Sequence, residues 1–401
     1  QEIHGWYFDE RAAWELASSL RSELEKTYQL LRDKHPFVFG SEFTPKRNNS
    51  TSGYVKGATF TRLKELNPTS RDHIAWILQN FYNWTPTQFT TKEKPIIDEV
   101  VLKEIGTEIA LQFLKCLDIT KKLGMISEGV NAWLKLSTNA NRIHHHASVA
   151  TNTHRCAHRK PNLAAVPSDK ECRKLFTASP GQIMVGADLA GIELRVLAHY
   201  LSRWDGGRYA DILLNGDIHQ VNADALNVTR RQVKSISYCF IYGGGNVKLG
   251  HTFDPQLSID EAQKKGTEIR RKFIKAIPGL KQLLEAVKKK ATDQKHLLAI
   301  DGRAIKVDSP HKALNYLLQS SAGVIAKRWM VINNDNIKTL GLCASQLAFI
   351  HDELQYECSP EHAKDLCSSL VYSAAEAGEY YRLRIPIEAE SKQGRDWSEV
   401  H

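Results

Sequence analysis

The stretch TRRQVKSISYCFIYGGG, residues 229–245, determines how the rest of this sequence is interpreted. Thr229 and Gln232 form a capping box, which predicts a helix that begins at Arg230, and Gly243 predicts where that helix stops. Side chains spaced by four residues lie along one face of such a helix. We call this set the cationic–aromatic stripe: Arg230, Lys234, Tyr238 and Tyr242. The apolar residues between them predict that the other side of the helix packs against a core.

The basic start of this helix suggests a ligand. Arg230 and Arg231 lie in the first turn, where the helix dipole favours anions rather than cations. Arg230 and Lys234, together with the free N–H groups of the first turn, would hold a triphosphate, and the two tyrosines would meet the base attached to it. A basic amphipathic helix with aromatic anchors explains the stripe equally well, so the stripe alone leaves both interpretations open.

Two acidic residues favour the first interpretation. Asp188 ends an apolar strand in VGADLAGIELR (185–195), and Asp352 lies at the tip of a predicted hairpin, FIHDELQ (349–355). A carboxylate in such a place is costly to desolvate unless it binds a cation or a donor. Two of them on adjacent strands suit a pair of Mg²⁺ ions about 3.5–4 Å apart, of which one activates a 3′-hydroxyl and the other holds a triphosphate.

Composition limits the class of protein. The 401 residues include 54 Lys and Arg against 45 Asp and Glu, a net charge of +9 that suits a polyanion such as nucleic acid. The seven cysteines never form C-x-x-C, which predicts reduced thiols in a cytoplasm and no disulfide or zinc framework. No apolar run is long enough for a membrane span, and no signal peptide is present. Gln1 in place of methionine is consistent with the trailing part of a longer product.

The remaining segments of the chain differ in the secondary structure that they predict. The first third is mostly helical, interrupted at 36–68 by an exposed excursion rich in Gly, Ser, Asn and Pro. A basic helical pair broken near Pro278 and a long helix from Ala313 follow the stripe. The run His144–His146 resembles a metal cluster, but adjacent strand residues point to opposite faces and cannot all converge on one ion.

Several motifs together resemble those of family A DNA polymerases, the DNA polymerase I family. DLAGIELRVLAHYL (188–201), RRQVKSISYCFIYGGG (230–245) and FIHDELQ (349–355) are similar to motifs A, B and C of that family. THRCAHRKPNLAAVP (153–167) and ALNYLLQSSAGVIAK (313–327) resemble two further segments, with His154 where the family has glycine. NGDIHQ (215–220) and AESKQGRDWSEVH (389–401) are similar to the replicative polymerases of short-tailed bacteriophages in particular.

The resemblance implies a role for each matching residue. Asp188, Asp352 and the carbonyl of Leu189 would bind two Mg²⁺ ions. His219, Arg230 and Lys234 would bind the triphosphate of the incoming dNTP, and Lys234 would also donate a proton to the leaving pyrophosphate. Tyr238 would stack near the nucleotide, and Glu193 would close off the ribose 2′ position. The remaining set would contact primer and template: Arg155, Tyr242, Gly243, Asn315, Gln319, His351 and Glu353.

The fold implied is α+β, the right-hand polymerase fold. A helical thumb would cover 1–135, an antiparallel-sheet palm 136–200 and 299–401, and helical fingers 201–298. Beyond primer-template DNA and dNTPs, the resemblance implies a processivity factor or a replicative helicase as a candidate partner, and the host cytoplasm as the location. The one D-x-E, residues 169–171, lacks the other carboxylates of a proofreading nuclease. A single-subunit phage-type RNA polymerase and a catalytically silent DNA-binding module remain as alternatives, although Glu193 favours deoxynucleotides.

Overall fold

The structure, a computed structural model, describes residues 1–401 and divides them into two units. The larger unit contains Gln1–Ala13 and Val130–His401, and the smaller one contains Trp14–Gly129. No helix is both long and apolar enough to cross a membrane.

The strands are β1 (Trp6–Phe8), β2 (Phe37–Phe43), β3 (Phe60–Glu65), β4 (Arg142–Ile143), β5 (His146–Ser148), β6 (Ala157–Arg159), β7 (Phe176–Thr177), β8 (Ile183–Leu189), β9 (His296–Leu298), β10 (Ala304–Lys306), β11 (Ala344–Ile350), β12 (Glu353–Cys358) and β13 (Ala389–Gly394). The helices are α1 (Glu10–Lys34), α2 (Arg71–Phe81), α3 (Glu99–Ile105), α4 (Glu108–Leu123), α5 (Trp133–Leu136), α6 (Lys170–Arg173), α7 (Ile192–Asp205), α8 (Arg208–Asn215), α9 (Ile218–Leu226), α10 (Arg230–Ile241), α11 (Asn246–Phe253), α12 (Ile259–Ala276), α13 (Leu280–Gln294), α14 (Ala313–Thr339) and α15 (Ala363–Tyr380).

The smaller unit is a set of helices with a two-stranded ribbon. Its core is formed by apolar side chains of α1, α2, α3 and α4, among them Leu31, Ile74 and Phe113. The ribbon pairs β2 with β3 in antiparallel register. The composition of 36–68 did not indicate these strands, because most of their side chains are exposed and only Val38 is buried in the core.

The larger unit is built on a four-stranded antiparallel sheet in the order β11–β12–β8–β13. Strand β8 lies in the middle because its residues Met184–Ala187 are buried and suit a central position. Helix α15 packs against β8 and β13, and α14 packs against α15. The predicted long helix and the predicted hairpin of β11 and β12 are both confirmed.

Helices α7 to α13 follow β8 along the chain. The capping box of Thr229 and Gln232 is present, and α10 begins at Arg230 as predicted. The predicted basic pair is α12 and α13, which are separated at Pro278. Helices α11 and α12 approach so closely that a Cβ at Gly250 would collide with the carbonyl of Ala262, and one at Gly266 with that of Asn246.

A second, three-stranded sheet, in the order β4–β1–β7, carries an aromatic cluster. Its members are Trp6, Phe8, Trp133, Phe176 and Trp397. Trp397 lies four residues before His401, and its ring centroid is 4.8 Å from that of Trp6. This cluster therefore fixes the last residues of the chain against the start of the larger unit.

Candidate active site

The two predicted aspartates meet at one end of the four-stranded sheet. Asp188 is near the end of β8, and Asp352 lies in the turn between β11 and β12. His351 has a φ of 61°, in the left-handed region that tight hairpin turns use. The N–H of Leu189 donates to the backbone carbonyl of Asp352 at 3.0 Å, which ties the turn to the end of β8. The structure thus brings Asp188 and Asp352 together from sequence positions 164 residues apart.

The surroundings of both carboxylates disfavour their ionised forms. Burial, and then the charge of Asp188, raise the pKa of Asp352 to about 7. The Asp188 side chain reaches solvent, yet surrounding protein displaces enough water to raise its pKa to about 6, with the charge of Glu353 adding to the shift. Neither carboxylate forms an ion pair with a basic side chain. Desolvated carboxylates that form no ion pair fit a divalent metal, which supplies positive charge and prefers oxygen ligands.

These two residues form a site of two carboxylates rather than a closed metal cage. No group of three His, Cys, Asp or Glu side chains is placed to hold a metal. Mg²⁺ suits this arrangement because it is held in proteins by one or two carboxylates plus water and substrate phosphates. The remaining ligand named from the sequence, the carbonyl of Leu189, stays a prediction.

The predicted triphosphate ligands lie together at the start of α10. Arg230 Nε donates to Asp217 Oδ2 at 2.7 Å, and Asp217 also caps α9, which carries His219. Lys234, one turn after Arg230, is exposed. Burial and the charge of Arg230 lower the pKa of His219, and the charge of Lys234 lowers it further. Three basic side chains held close enough to affect one another favour an anion at this position.

The aromatic half of the stripe lies close to the carboxylates. The rings of Tyr238 and Tyr242 are stacked, with centroids 6.2 Å apart. Burial raises the pKa of Tyr238, and the charges of Glu193, Asp352 and Asp188 raise it further, so this phenol lies within the field of the acidic site. The stripe therefore runs from the cationic start of α10 towards the end of the sheet, as the triphosphate interpretation requires.

Glu193 has partners that the sequence did not reveal. The hydroxyl of Tyr242 donates to Glu193 Oε1 at 3.0 Å, and Arg155 forms an ion pair with the same oxygen. Arg155 also lies over the ring of Tyr242, 6.0 Å from its centroid. Arg155, expected from the resemblance at the duplex, is thus joined to Glu193 and Tyr242 in this structure.

The other predicted template and primer residues are spread around this network. Asn315 is buried, and its amide donates to the carbonyl of Ile241 at 3.1 Å, where it holds the end of α10. Gly243, with a φ of 74°, lies against the Asn315 side chain. Gln319 is half-buried one turn further along α14. The Nδ1 atom of His351 is buried without a partner. Contacts of this set with DNA remain predictions.

The histidines His144–His146 do not converge on one point. His144 and His146 are exposed, whereas His145 is buried beside His158, with ring centroids 5.5 Å apart. Burial and the charge of His158 lower the pKa of His145 to about 4, and burial and the charge of His351 lower the pKa of His158 to about 4. Exposure alternates along the three histidines as expected, although only His146 lies in a strand, β5.

The sequence interpretation missed the side chains around Glu353. This residue is 5% exposed, and its carboxylate accepts hydrogen bonds from Trp397, Gln355 and His401. A signal was present in the sequence: Glu353 follows the apolar run before His351 and Asp352, where a buried acid would require donors, and Trp397 and His401 near the end of the chain carry N–H groups.

Comparison with known proteins agrees with this geometry. The family model described as DNA polymerase family A matches residues 46–399. The DNA-directed DNA polymerase of Enterobacteria phage T3 is 33% identical over 401 residues, which cover 88% of this chain and 55% of that protein. The corresponding enzyme of Escherichia phage T7 is 32% identical over 430 residues, covering 92% of this chain and 59% of that protein. The chain thus spans little more than half the length of these relatives.

The fold has a solved counterpart. The POL domain of Pol1 from M. smegmatis, solved in complex with DNA primer-template and dNTP, matches with a TM-score of 0.79 and 22% identity, over 99% of this chain and 68% of that one. This likeness confirms the α+β right-hand polymerase fold expected from the motifs. With the family match, the two phage relatives and the paired aspartates facing the stripe, the chain belongs to DNA polymerase family A.

Proposed function

We propose that this chain is a template-directed DNA polymerase, which adds dNTPs to a primer 3′-hydroxyl and releases pyrophosphate. The observation that carries the proposal is the placement of two carboxylates that form no ion pair, Asp188 and Asp352, at the end of a sheet and close enough to Tyr238 of α10 to affect its pKa. The phage relatives are DNA-directed DNA polymerases, and the M. smegmatis POL domain was solved with primer-template DNA and dNTP, which supports these substrates.

The two aspartates, with the carbonyl of Leu189, would hold two Mg²⁺ ions. When bound, these ions would lower the pKa of the primer 3′-hydroxyl and neutralise the triphosphate. His219, Arg230 and Lys234 bind the phosphates, and the Lys234 ammonium donates a proton to the leaving pyrophosphate. Tyr238 faces the sugar of the nucleotide, and Glu193, held by Arg155 and Tyr242, fills the space that a ribose 2′-hydroxyl would need.

The same proposal assigns a role to each segment of the chain. Residues 1–135 act as the thumb, 136–200 and 299–401 as the palm, and 201–298 as the fingers. Arg155, Asn315, Gln319 and His351 follow the minor groove, where acceptors recur at similar positions in every base pair, while Glu353 supports the primer terminus. Tyr242 and Gly243 lie at the templating base. The site of action is the host cytoplasm, with a processivity factor or a replicative helicase as a further partner.

Extension of a labelled primer on a longer template tests this function. We expect stepwise extension with dNTPs and Mg²⁺, none in EDTA, and much slower extension with NTPs in place of dNTPs. Equal use of NTPs would instead identify an RNA polymerase, and binding without extension would identify a silent DNA-binding module. In Mg²⁺ without dNTPs we expect a 3′-mismatched primer to stay intact, since the chain carries no carboxylate set for a nuclease.

A further inference from the structure

Asp217 connects the starts of α9 and α10 through the two oxygens of its carboxylate. Oδ1 accepts hydrogen bonds from the backbone N–H groups of His219, at 3.0 Å, and Gln220, at 3.1 Å. Oδ2 accepts from Arg230 Nε at 2.7 Å. The first oxygen therefore caps α9, and the second forms an ion pair with a proposed triphosphate ligand. A substitution can remove the ion pair and keep the cap.

The ion pair engages only one part of the Arg230 guanidinium. Its Nε is bound to Asp217, whereas its two terminal nitrogens can still donate to phosphate oxygens. The side chain of Arg230 is 57% exposed and that of Asp217 is 43% exposed, so an anion from solvent can reach the pair. An anion that binds Arg230 therefore meets the charge of Asp217 at close range.

That charge opposes anion binding at the start of α10. Arg230, Arg231 and Lys234 bring three positive charges there, and the acidic partner belongs to Arg230. The hydrogen bond from Arg230 holds the pKa of Asp217 below its ordinary value, so the carboxylate stays ionised at neutral pH. It repels a phosphate and offsets part of the positive charge that attracts one. Because the pair is exposed, this effect amounts to no more than about fivefold in an equilibrium constant.

A limit on anion affinity suits the proposed function, on which this inference rests. The same basic side chains would bind the triphosphate before the reaction and the pyrophosphate after it, so a site that binds substrate too tightly also retains product. We propose that Asp217 is an internal competitor for Arg230, which lowers the affinity of the start of α10 for triphosphate and for pyrophosphate. It acts through Arg230 rather than on the reacting atoms.

The test variant is Asp217→Asn. Its side-chain oxygen still caps α9, because Asn and Asp are about equally good N-cap residues, but the negative charge is lost. Asp224→Asn is the matched control: Asp224 is exposed on the same helix and loses the same charge, but it accepts from Gln220 Nε2 instead of an arginine. Arg230→Ala, alone and combined with Asp217→Asn, completes a double-mutant cycle. Thermal unfolding verifies that each variant is folded.

The first readout requires no catalysis. Binding of inorganic pyrophosphate to the protein is measured by isothermal titration calorimetry in EDTA, so that no divalent metal contributes. We expect Asp217→Asn to lower the pyrophosphate Kd by about three- to fivefold at low salt, and by less in about 0.5 M NaCl, because salt screens exposed charges. Asp224→Asn should resemble wild type. In the Arg230→Ala background, Asp217→Asn should have little effect.

The second readout is incorporation of a single nucleotide. We expect Asp217→Asn to lower both the KM for dNTPs and the inhibition constant of pyrophosphate by about three- to fivefold, with primer-template Kd within about twofold. A residue that merely supports α9 would have the opposite effect, because its loss would raise both constants.

A pyrophosphate Kd that Asp217→Asn leaves unchanged would overturn the proposal. A higher Kd would also overturn it, by showing that Asp217 positions Arg230 instead of competing for it. The same holds if Asp224→Asn gives an equal gain, or if the gain persists in full without the Arg230 side chain. If wild type fails to extend primers but Asp217→Asn still binds pyrophosphate more tightly, the polymerase function is wrong while the competition stands. If wild type extends primers and the variant binds pyrophosphate as wild type does, the competition alone is wrong.

Discussion

The acidic end of the sheet and the basic face of α10 hold their charged side chains in opposite ways. Asp188 and Asp352 are fixed by strand register and a hairpin turn, and protein around them raises the pKa of both. Arg230 and Lys234 project from a helix into solvent, and Arg230 already has an acidic partner in Asp217. The proposed metal ligands are therefore held in place at a cost in stability, whereas the proposed phosphate ligands are free to bind and release an anion with little change in the surrounding structure.

Removing one of the two proposed metal ligands should have the largest effect on activity. We expect Asp352→Asn to leave less than about 1% of wild-type extension, because an amide oxygen carries no charge for the metal. Primer-template Kd should change little. Asp293→Asn, an exposed position on α13, is the control. Single-turnover incorporation and a binding titration check both, and several per cent of residual activity would contradict the two-metal assignment.

Tyr238 lies on α10 between the basic side chains and the acidic end of the sheet, and substituting it tests how the two regions share a nucleotide. A dideoxynucleotide lacks the 3′-hydroxyl that bonds within its own triphosphate, which leaves polar groups short of a partner and costs about 1–3 kcal/mol. The phenol of Tyr238 can fill that vacancy, so the wild type should use ddNTPs almost as well as dNTPs. Tyr238→Phe should discriminate against ddNTPs by about ten- to a hundredfold.

The measurement is the ratio of kcat/KM for ddNTP and dNTP in both proteins. Tyr242→Phe is the matched control, because it removes a phenol hydroxyl one turn further along the stripe. A ratio that Tyr238→Phe leaves unchanged would mean that Tyr238 does not face the sugar, and the placement of α10 would be wrong.

On the exposed side, Lys234→Ala should raise the KM for every dNTP by about tenfold and slow incorporation, since it loses a charge-assisted contact. Primer-template Kd should stay near the wild-type value. Lys288→Ala, an exposed lysine on α13, is the control. Weaker DNA binding with normal nucleotide kinetics would show that this face of α10 meets the duplex instead.

The smallest expected effect is on the free energy of unfolding, which burial of the ionised Asp352 side chain should lower. Asp352 has its pKa raised to about 7, so between its ordinary value and about 7 the folded state binds more protons than the unfolded state. Stability from this group is then greatest at low pH and is lost as pH rises through about 7. In EDTA, Asp352→Asn should be more stable than wild type by about 1 kcal/mol or more at pH 8, and this advantage should be smaller at pH 5. Urea unfolding at both pH values measures this, and a less stable variant at pH 8 would contradict the electrostatic strain.

The elements that local sequence rules govern were predictable. The capping box located the start of α10, and apolar runs ending in Asp188 and Asp352 located the acidic site. What the sequence could not show were partnerships across long separations. Glu193 bonds Tyr242 and Arg155, and Asn315 holds the end of α10, because packing rather than spacing brings them together. The β2–β3 ribbon escaped prediction for another reason, since its exposed strands have little apolar alternation.

The glycine contact between α11 and α12 has a mechanical consequence. At Gly250 and Gly266 the two helices meet through main-chain atoms, and a side chain at either position would force them apart. The backbone has left-handed glycines elsewhere, at Gly206, Gly207 and Gly243, which are suited to act as pivots. A movement of α11 would therefore carry α12 with it, and the amides of the two helices should exchange with solvent deuterium as one cooperative block.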